Sequence, residues 1–457
     1  MPSYELALAV NGALDDVTAK LTALPTRTRD ATATDSRSGH PPSVAVVGMG
    51  YVGLPTALAL HNEGMPVLGV DISPDRIHAI RSGQVDLSAT QRAVLTEAVR
   101  SDGFRLTTDA AAVRRADAVV ICVPTPIDQH RLPELGPLRS ACAGVVRHAR
   151  SGQVIILTST SFVGTTRELL IEPLARRGLD VGTDICVAYS PERIDPGVDN
   201  HRQRETPRVI GADTLRCVER AAAVIGRLTD QVFAVGSPEV AELAKLYENL
   251  FRAVNLALAN EIADVCGVLD LDPIEVTAAA ATKPYGFLAC FPGPGVGGHC
   301  IPCDPHYLLW QLRRVALPTP LTDLAMTAIA QRPQRVLRRA AEVLSEAGVP
   351  LAGARVMVVG VSYKPGVQDL RGSSAVEIIA GLVRRGTEVS YHDPLVPQLR
   401  LPTGQVLHNE VDPAAADWDL ALIHTLHPGV DYAWAADCRL VLDATYRFQA
   451  AKHREVV

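Results

Sequence analysis

Between Val44 and Asp71 the chain reads VAVVGMGYVGLPTALALHNEGMPVLGVD, an order of residues that leaves few folds open. Val44 to Val47 is a short apolar run of strand type. It breaks at Gly48-Met49-Gly50-Tyr51-Val52-Gly53, and apolar residues then repeat at helical spacing to about Glu63. A second apolar run, Pro66 to Val70, ends on Asp71, 18 residues beyond Gly53. Strand, G-x-G-x-x-G, helix, strand and terminal acid together form the dinucleotide-binding fingerprint in the context it requires. Each glycine has its own task. Gly48 makes the tight turn, Gly50 admits a pyrophosphate against the backbone, and Gly53 lets the helix pack on the strand. The helix N-terminus then meets the phosphates. Asp71 accepts from a ribose 2′-hydroxyl and would repel a 2′-phosphate, so NAD is favoured over NADP. Tyr51, Val52 and Arg76 join the expected cofactor set.

At 457 residues the chain has room for two or three domains. Its net charge of −6, with lysine and arginine scattered, points away from nucleic acid and anionic membranes. Nine cysteines, an odd number spread over a long chain, suit reduced thiols in the cytoplasm rather than a disulfide framework. The N-terminus lacks the basic and apolar regions of a signal peptide. Pro41 to Leu60 carries no charge, yet it holds Gly48, Gly50, Gly53 and Pro55 and changes pattern midway, as a strand-turn-helix does and a membrane span does not. Residues 1–42 hold one possible amphipathic helix, Tyr4 to Leu24, and are expected to form a flexible extension.

The β/α alternation continues with strands expected at Ala118–Val123, Val154–Ser159, Ile185–Tyr189 and Arg208–Ile210. Strand ends in such sheets carry ligands. Thr125, between Pro124 and Pro126, and Thr160 are therefore expected to face the cofactor, and Glu192 the reacting centre. From Ser237 a helix of about seven turns is expected, with Val240, Leu243, Tyr247, Leu250/Phe251, Val254, Leu258, Ile262 and Val265 in one row. Its length suits a connector or a dimer spine. Lys245 and Asn249 share one face, as a solvated lysine beside a helical asparagine also would. After a helix at Leu321–Ala347 a second β/α unit begins, with strands at Arg355–Val361, Glu388–Tyr391, Leu420–His424 and Leu440–Leu442 and a helix at Ser373–Arg385. Lys364 and Arg371 lie in the loop at the first strand's carboxyl end, where an anionic nucleotide would bind. The expected fold is α/β, with two Rossmann-like doubly wound domains at 43–236 and 348–457. A long central helix and a helical dimerisation region at 237–347 join them.

The stretch Phe291 to Tyr307, FPGPGVGGHCIPCDPHY, is too broken for helix or strand and must be a shaped loop. Gly297-Gly298 allows a ligand close approach to the backbone. Asp304-Pro305 has the form of an N-cap and first helical residue. Cys300 then sits just ahead of a helix N-terminus, where the dipole favours a thiolate, and is a candidate nucleophile. An ordinary cysteine in a rigid turn would have the same local composition. Cys303 makes the run C-x-x-C, which with His299, Asp304 and His306 also resembles half of a zinc or thiol-redox site. No second C-x-x-C exists to complete one, and no metal is expected.

In order along about 400 residues stand GMGYVGLP, ICVPTP, STSFVGTT, YSPERIDPG, ELAKLYENLFRAVN, KPYGF followed by PGPGVGGHCIPCDP, and GVSYKP followed by DLR. Together they resemble the UDP-glucose/GDP-mannose dehydrogenase family, most closely its UDP-N-acetylglucosamine 6-dehydrogenase branch. The resemblance implies an NAD-linked four-electron oxidation of a UDP-sugar 6-hydroxymethyl group to a carboxylate, by a homodimer. UDP-glucose and UDP-N-acetylmannosamine are the alternative substrates. It implies that Cys300 forms the thiohemiacetal and thioester, that Lys245 stabilises oxyanions with Asn249 helping it, and that Asp304 works with an ordered water as base. It assigns Glu192 to thioester hydrolysis, Thr160 to holding the water, and Arg371 to the cofactor–substrate interface. Arg193, Lys283, Phe291, Gly297 and Lys364 complete the implied substrate contacts. Gly372-Ser373-Ser374 departs from the family's usual glutamate and proline, and Cys303 from its usual aliphatic or lysine.

Overall fold

The computed structural model describes residues 43–193, 203–451 and 454–457, so the helix expected over Tyr4–Leu24 and the part of YSPERIDPG from residue 194 lie outside it. The described residues form two compact units, one ending at Lys245 and the other holding Leu246–Val457, with Gln129–Leu132 belonging to the second.

The first unit is built on eight strands, β1 (Val44–Val47), β2 (Val67–Val70), β3 (Phe104–Thr107), β4 (Ala118–Ile121), β5 (Val154–Leu157), β6 (Cys186–Tyr189), β7 (Arg208–Gly211) and β8 (Val232–Val235). Their spatial order is β3-β2-β1-β4-β5-β6-β7-β8. All pairs are parallel except β6 with β7. The strand order therefore reverses between β1 and β4, which opens a crevice at their carboxyl ends. Helices α1 (Gly53–Asn62), α2 (Pro74–Arg81), α3 (Ala89–Ala98), α4 (Gly136–His148), α5 (Glu172–Arg176) and α6 (Leu215–Ile225) cover the sheet. Both faces are buried, so the strands read as unbroken apolar runs. Val44, Val46, Val120 and Ile156 enter one core with Leu54 and Leu58 of α1, while Ala45, Val119, Ile121 and Ile155 enter the other with Leu138 and Val145 of α4.

Strands β3 and β8 are the sheet edges; exposed Arg105 interrupts the apolar pattern of β3, while β8 is an apolar run, Val-Phe-Ala-Val, that was not among the expected strands. The ladder also stops at Ile121 and Leu157, two residues short of the expected ends on both strands, because the chain there turns into the loops that line the crevice.

Helix α7 (Pro238–Leu269) runs 32 residues, about 48 Å at 1.5 Å per residue, longer than the seven turns expected. The second unit adds α8 (Pro273–Ala281), α9 (Asp304–Arg313), α10 (Pro320–Glu346) and α11 (Ser374–Val383). Its strands are β9 (Arg355–Val359), β10 (Glu388–His392), β11 (Gln398–Arg400), β12 (Val406–His408), β13 (Leu420–Ile423), β14 (Val441–Asp443) and β15 (Glu455–Val456). The parallel order β10-β9-β13-β14-β15 reverses between β9 and β13, while β11 and β12 form a separate hairpin. Val356, Val358 and Leu422 pack with Leu337, Ala340 and Ile379 of α10 and α11. The opposite face, Met357, Val359 and Ile423, is covered by Trp418, Tyr432 and Phe448 from loops and 3-10 turns rather than by an α-helix. No helix among the described residues is long and apolar enough to cross a membrane.

At the reversal in the second sheet the chain comes very close to itself. Gly360 has φ +76°, and a Cβ there would stand 1.9 Å from the Thr425 carbonyl oxygen. Both the left-handed backbone and the contact exclude a side chain. Gly360→Ala is expected to cost at least ~2 kcal/mol, measured as a lower midpoint in urea unfolding.

Candidate active site

In the first unit the three fingerprint glycines differ as their tasks require. Gly48 turns with φ +89°, and a Cβ on Gly53 would lie 1.8 Å from the Gly48 carbonyl oxygen, so both are fixed by the protein itself. Gly50 has no neighbour within 4 Å of its absent Cβ, which leaves open space where a pyrophosphate must approach. No side chain caps the N-terminus of α1, and its first turn holds no acid, as an anion site requires. Asp71 fixes the turn: its carboxylate accepts from Met49 N at 2.8 Å and from Ser73 N at 2.9 Å. Arg76 Nε donates to the Met49 carbonyl at 2.7 Å, closing the same turn from the next helix. These residues fit a dinucleotide.

Beyond β4, Pro124 is exposed and Thr125 buried. Ser159 Oγ donates to the Val123 carbonyl at 2.8 Å and joins that loop to the one carrying Thr160. Past β6, buried Arg208 Nη2 lies 2.6 Å from Oε1 of the largely buried Glu192, and Oε1 also accepts from Arg193 N at 2.8 Å. Glu192 Oε2, Ser161 Oγ and Ser190 Oγ are buried and have no hydrogen-bond partner among the described residues. Buried polar atoms of this kind ordinarily find protein or water partners. All three lie in the segments that follow β5 and β6.

Glu242, one turn before Lys245 on α7, is a residue the sequence reading missed. Its carboxylate accepts from Gly164 N at 2.6 Å, Thr166 N at 2.8 Å and Thr166 Oγ1 at 2.6 Å. Burial raises its pKa against the pull of these bonds. Glu239 adds an ion pair to Arg167 at 2.6 Å. The start of α7, and with it buried Lys245, is thereby tied to the STSFVGTT loop that carries Thr160. An acid on an otherwise buried helical face was the available signal.

In the second unit, the Cys300 carbonyl accepts from Cys303 N at 3.2 Å and Asp304 N at 2.8 Å, so the exposed cysteine heads the turn that opens α9. The expected N-cap is displaced by one residue: Cys303 holds that position and Asp304 is the first helical residue, with no side-chain cap bond. The Asp304 carboxylate is instead turned to buried Asn249, whose Nδ2 donates to Oδ2 at 2.5 Å. Gly297 and Gly298 lie against another loop of the same unit. A Cβ on Gly297 would lie 2.6 Å from Tyr363 Cβ, and Gly298 N donates to the Arg371 carbonyl at 2.9 Å. Their closest neighbour is thus the loop of Lys364 and Arg371, which packs directly on the cysteine loop. Arg371 is held by Asp369, with Nη2 to Oδ2 at 2.6 Å. Burial and the Arg371 charge lower the pKa of His299. Arg447 lies over the Phe291 ring at 4.8 Å. Lys283 stands on an exposed segment over the Tyr285 ring. Among the described residues no group of three His, Cys, Asp or Glu could hold a metal ion.

Three family models cover the chain: the NAD binding domain of the UDP-glucose/GDP-mannose dehydrogenase family at residues 42–229, its central domain at 239–328 and its UDP binding domain at 357–449. The chain belongs to this family. It is an NAD-dependent UDP-sugar dehydrogenase. Protein CapL of Staphylococcus aureus is 36% identical over 77% of this chain and 82% of its own. The UDP-N-acetyl-D-glucosamine 6-dehydrogenase of Pseudomonas aeruginosa is 31% identical over 77% and 83%. Among solved structures, the UDP-D-ManNAc dehydrogenase of Pyrococcus horikoshii superposes with a TM-score of 0.82 at 28% identity, covering 91% of this chain and 98% of its own.

The dehydrogenase's fingerprint glycines should separate folding from cofactor binding. Gly50→Ala should keep the wild-type melting temperature while its KM for NAD rises roughly tenfold or more, because the new methyl meets only the ligand. Gly53→Ala should lower the melting temperature itself. Calorimetric melting and NAD kinetics on the two variants check both.

Proposed function

We propose that this dehydrogenase oxidises the 6-hydroxymethyl group of UDP-N-acetylglucosamine to the carboxylate, with Cys300 as the covalent acceptor. The supporting observation is the Asn249–Asp304 hydrogen bond at the foot of the Cys300 turn, which joins two segments distant in sequence. NAD supplies the hydride acceptor at both oxidation steps. A water held by Asp304 takes the hydroxyl proton as the alcohol becomes an aldehyde. The Cys300 sulfur then bonds to the aldehyde carbon, and loss of a second hydride leaves a thioester. Lys245 and Asn249 stabilise the oxyanions. Glu192 and Thr160 direct water to the thioester, which releases the thiol and the carboxylate. Per sugar, one water and two NAD+ are consumed, and two NADH and three protons are formed. Lys364 meets the UDP phosphates; Arg371 meets the cofactor–substrate interface, and Arg193, Lys283, Phe291 and Gly297 the substrate. The proposed domain limits are 43–236, 237–347 and 348–457, and the proposed location is the cytoplasm.

The second substrate reading is UDP-N-acetylmannosamine, favoured by the Pyrococcus structure and by a Campylobacter jejuni UDP-N-acetyl-D-mannosamine dehydrogenase 31% identical over 78% of this chain and 88% of its own. NADH release across UDP-sugars decides between them, with two NADH expected per UDP-N-acetylglucosamine. Cys300→Ser should lower turnover by about a thousandfold or more while UDP and NAD still bind, since an alkoxide leaves far less readily than a thiolate. Near-normal turnover would remove Cys300 from the mechanism.

The proposed assembly is a homodimer. Tyr247, Leu258 and Val265 on one stripe of α7 are 64%, 51% and 47% exposed in the single chain, apolar surface that a second copy would cover. Leu258→Glu should convert the dimer to monomer in sedimentation velocity.

A further inference from the structure

Past β13 the chain reads His424-Thr425-Leu426-His427, and neither histidine is assigned a role by the sequence motifs. His427 is almost fully buried among polar groups of the second unit's crevice. Its Nδ1 accepts from Gly366 N at 3.0 Å. That nitrogen therefore carries no proton, and the ring hydrogen resides on Nε2. Nε2 donates to Asp393 Oδ1 at 3.0 Å and lies 3.3 Å from Ser362 Oγ. The serine hydroxyl donates in turn to the Lys364 carbonyl at 3.2 Å. Asp393, fully buried, takes Val361 N at 2.8 Å and Ser362 N at 3.2 Å on its other oxygen. Burial alone would raise its pKa, but the hydrogen bonds from His427 and Val361 hold it below the usual value.

Serine, histidine and aspartate in contact suggest a nucleophile, yet the geometry forbids one. A relay needs serine and aspartate on opposite ring nitrogens. Here both lie on Nε2, while Nδ1 is occupied by a backbone amide. What the ring does hold is the loop: Lys364 O through Ser362 on one side of Pro365, and Gly366 N on the other. A lysine has four flexible side-chain bonds, so fixing its backbone removes much of the disorder it would otherwise lose on meeting an anion.

We propose that His427, with Asp393 behind it, is a positioning residue for the substrate's diphosphate, clamping the Ser362–Gly366 loop so that Lys364 is presented to the phosphates. This rests on the reading of Lys364 as a phosphate contact. The tautomer makes the clamp separable by substitution. Asn at 427 keeps an acceptor where Nδ1 stands, whereas Gln reaches only the Nε2 position.

The test is UDP binding by calorimetry, with steady-state kinetics on the UDP-sugar, for the full-length wild type, His427→Ala, His427→Asn, His427→Gln, Ser362→Ala and Lys364→Ala. His427→Ala and His427→Gln should weaken UDP and raise the sugar KM by roughly tenfold, with kcat and the NAD KM within about twofold of wild type. His427→Asn should recover most of the loss. Ser362→Ala, which disturbs only the hydroxyl bridge, should weaken UDP by about threefold and carries the test if the histidine variants fail to fold. Loss of kcat at unchanged KM, or an equal rise in the NAD KM, would overturn the clamp. So would wild-type UDP affinity in Ser362→Ala and in folded His427→Ala alongside a weakened Lys364→Ala. Undiminished UDP affinity in Lys364→Ala would instead refute the phosphate reading of Lys364.

Discussion

A carboxylate, buried or half-buried, accepting backbone N–H groups of the loops beyond the parallel strands is the interaction on which both units depend. Asp71 holds Met49 and Ser73 in this way, Glu242 holds Gly164 and Thr166, and Asp393 holds Val361, Ser362 and Leu395. The need follows from the fold. Where parallel strands stop, the ladder stops too, and loops that enclose a ligand must leave water with their N–H groups unpaired. One carboxylate offers about four acceptor sites and answers several donors at once. At Asp393 such bonds outweigh the cost of burying the charge, whereas at Glu242 burial still dominates; the low dielectric strengthens each bond. The loops that present Gly50, Thr160 and Lys364 are therefore shaped before any ligand arrives.

The same contrast between burial and exposure sorts the cysteines. Cys122 and Cys142 lie inside the first unit, where burial pushes their thiols up to about 12 and keeps them protonated. Cys300 stands exposed at the head of a helical turn, where the helix dipole favours the thiolate. Cys122, Cys142, Cys186, Cys217 and Cys266 are buried and Cys300 is exposed, so thiols of one residue type meet very different surroundings.

Much of this was legible in the chain itself. The β1–α1–β2 unit stands out because its requirements are local: a turn, a packing glycine and an acid at a fixed distance. Edge strand β3 does not, since an exposed face admits Arg105 and breaks the apolar run, whereas β8, Val-Phe-Ala-Val, keeps an apolar run that went unassigned. The shift of Asp304 from N-cap to first helical residue was also out of reach. It is decided by Asn249, 55 residues away, and no periodicity reports a contact of that range. Glu242, Arg208 and His427 were missed for a related reason. Each is a polar residue whose partners are backbone groups or side chains of remote loops. In sequence each reads as an unremarked charge or ring inside an apolar stretch.

Helix α7 shows how far one element can depart from ordinary amphipathicity. At 100° per residue, Glu242, Lys245 and Asn249 fall on one side of the helix, while Val240, Leu243, Tyr247, Leu258, Ile262 and Val265 fall on the opposite side. The polar side is the buried one, with Glu242, Lys245 and Asn249 at 1%, 9% and 5% exposure, and the apolar side is turned outward. A globular helix normally does the reverse, because apolar burial drives its docking. Here directed bonds add to the packing of fully buried Ala241, Leu246 and Ala253: Glu242 to the Gly164–Thr166 backbone and Asn249 to Asp304. Such bonds fix rotation about the helix axis closely, since a turn of one residue would break all of them at once. That rotation sets where Lys245 and Asn249 point, and it leaves the apolar stripe free to serve contact with a further surface.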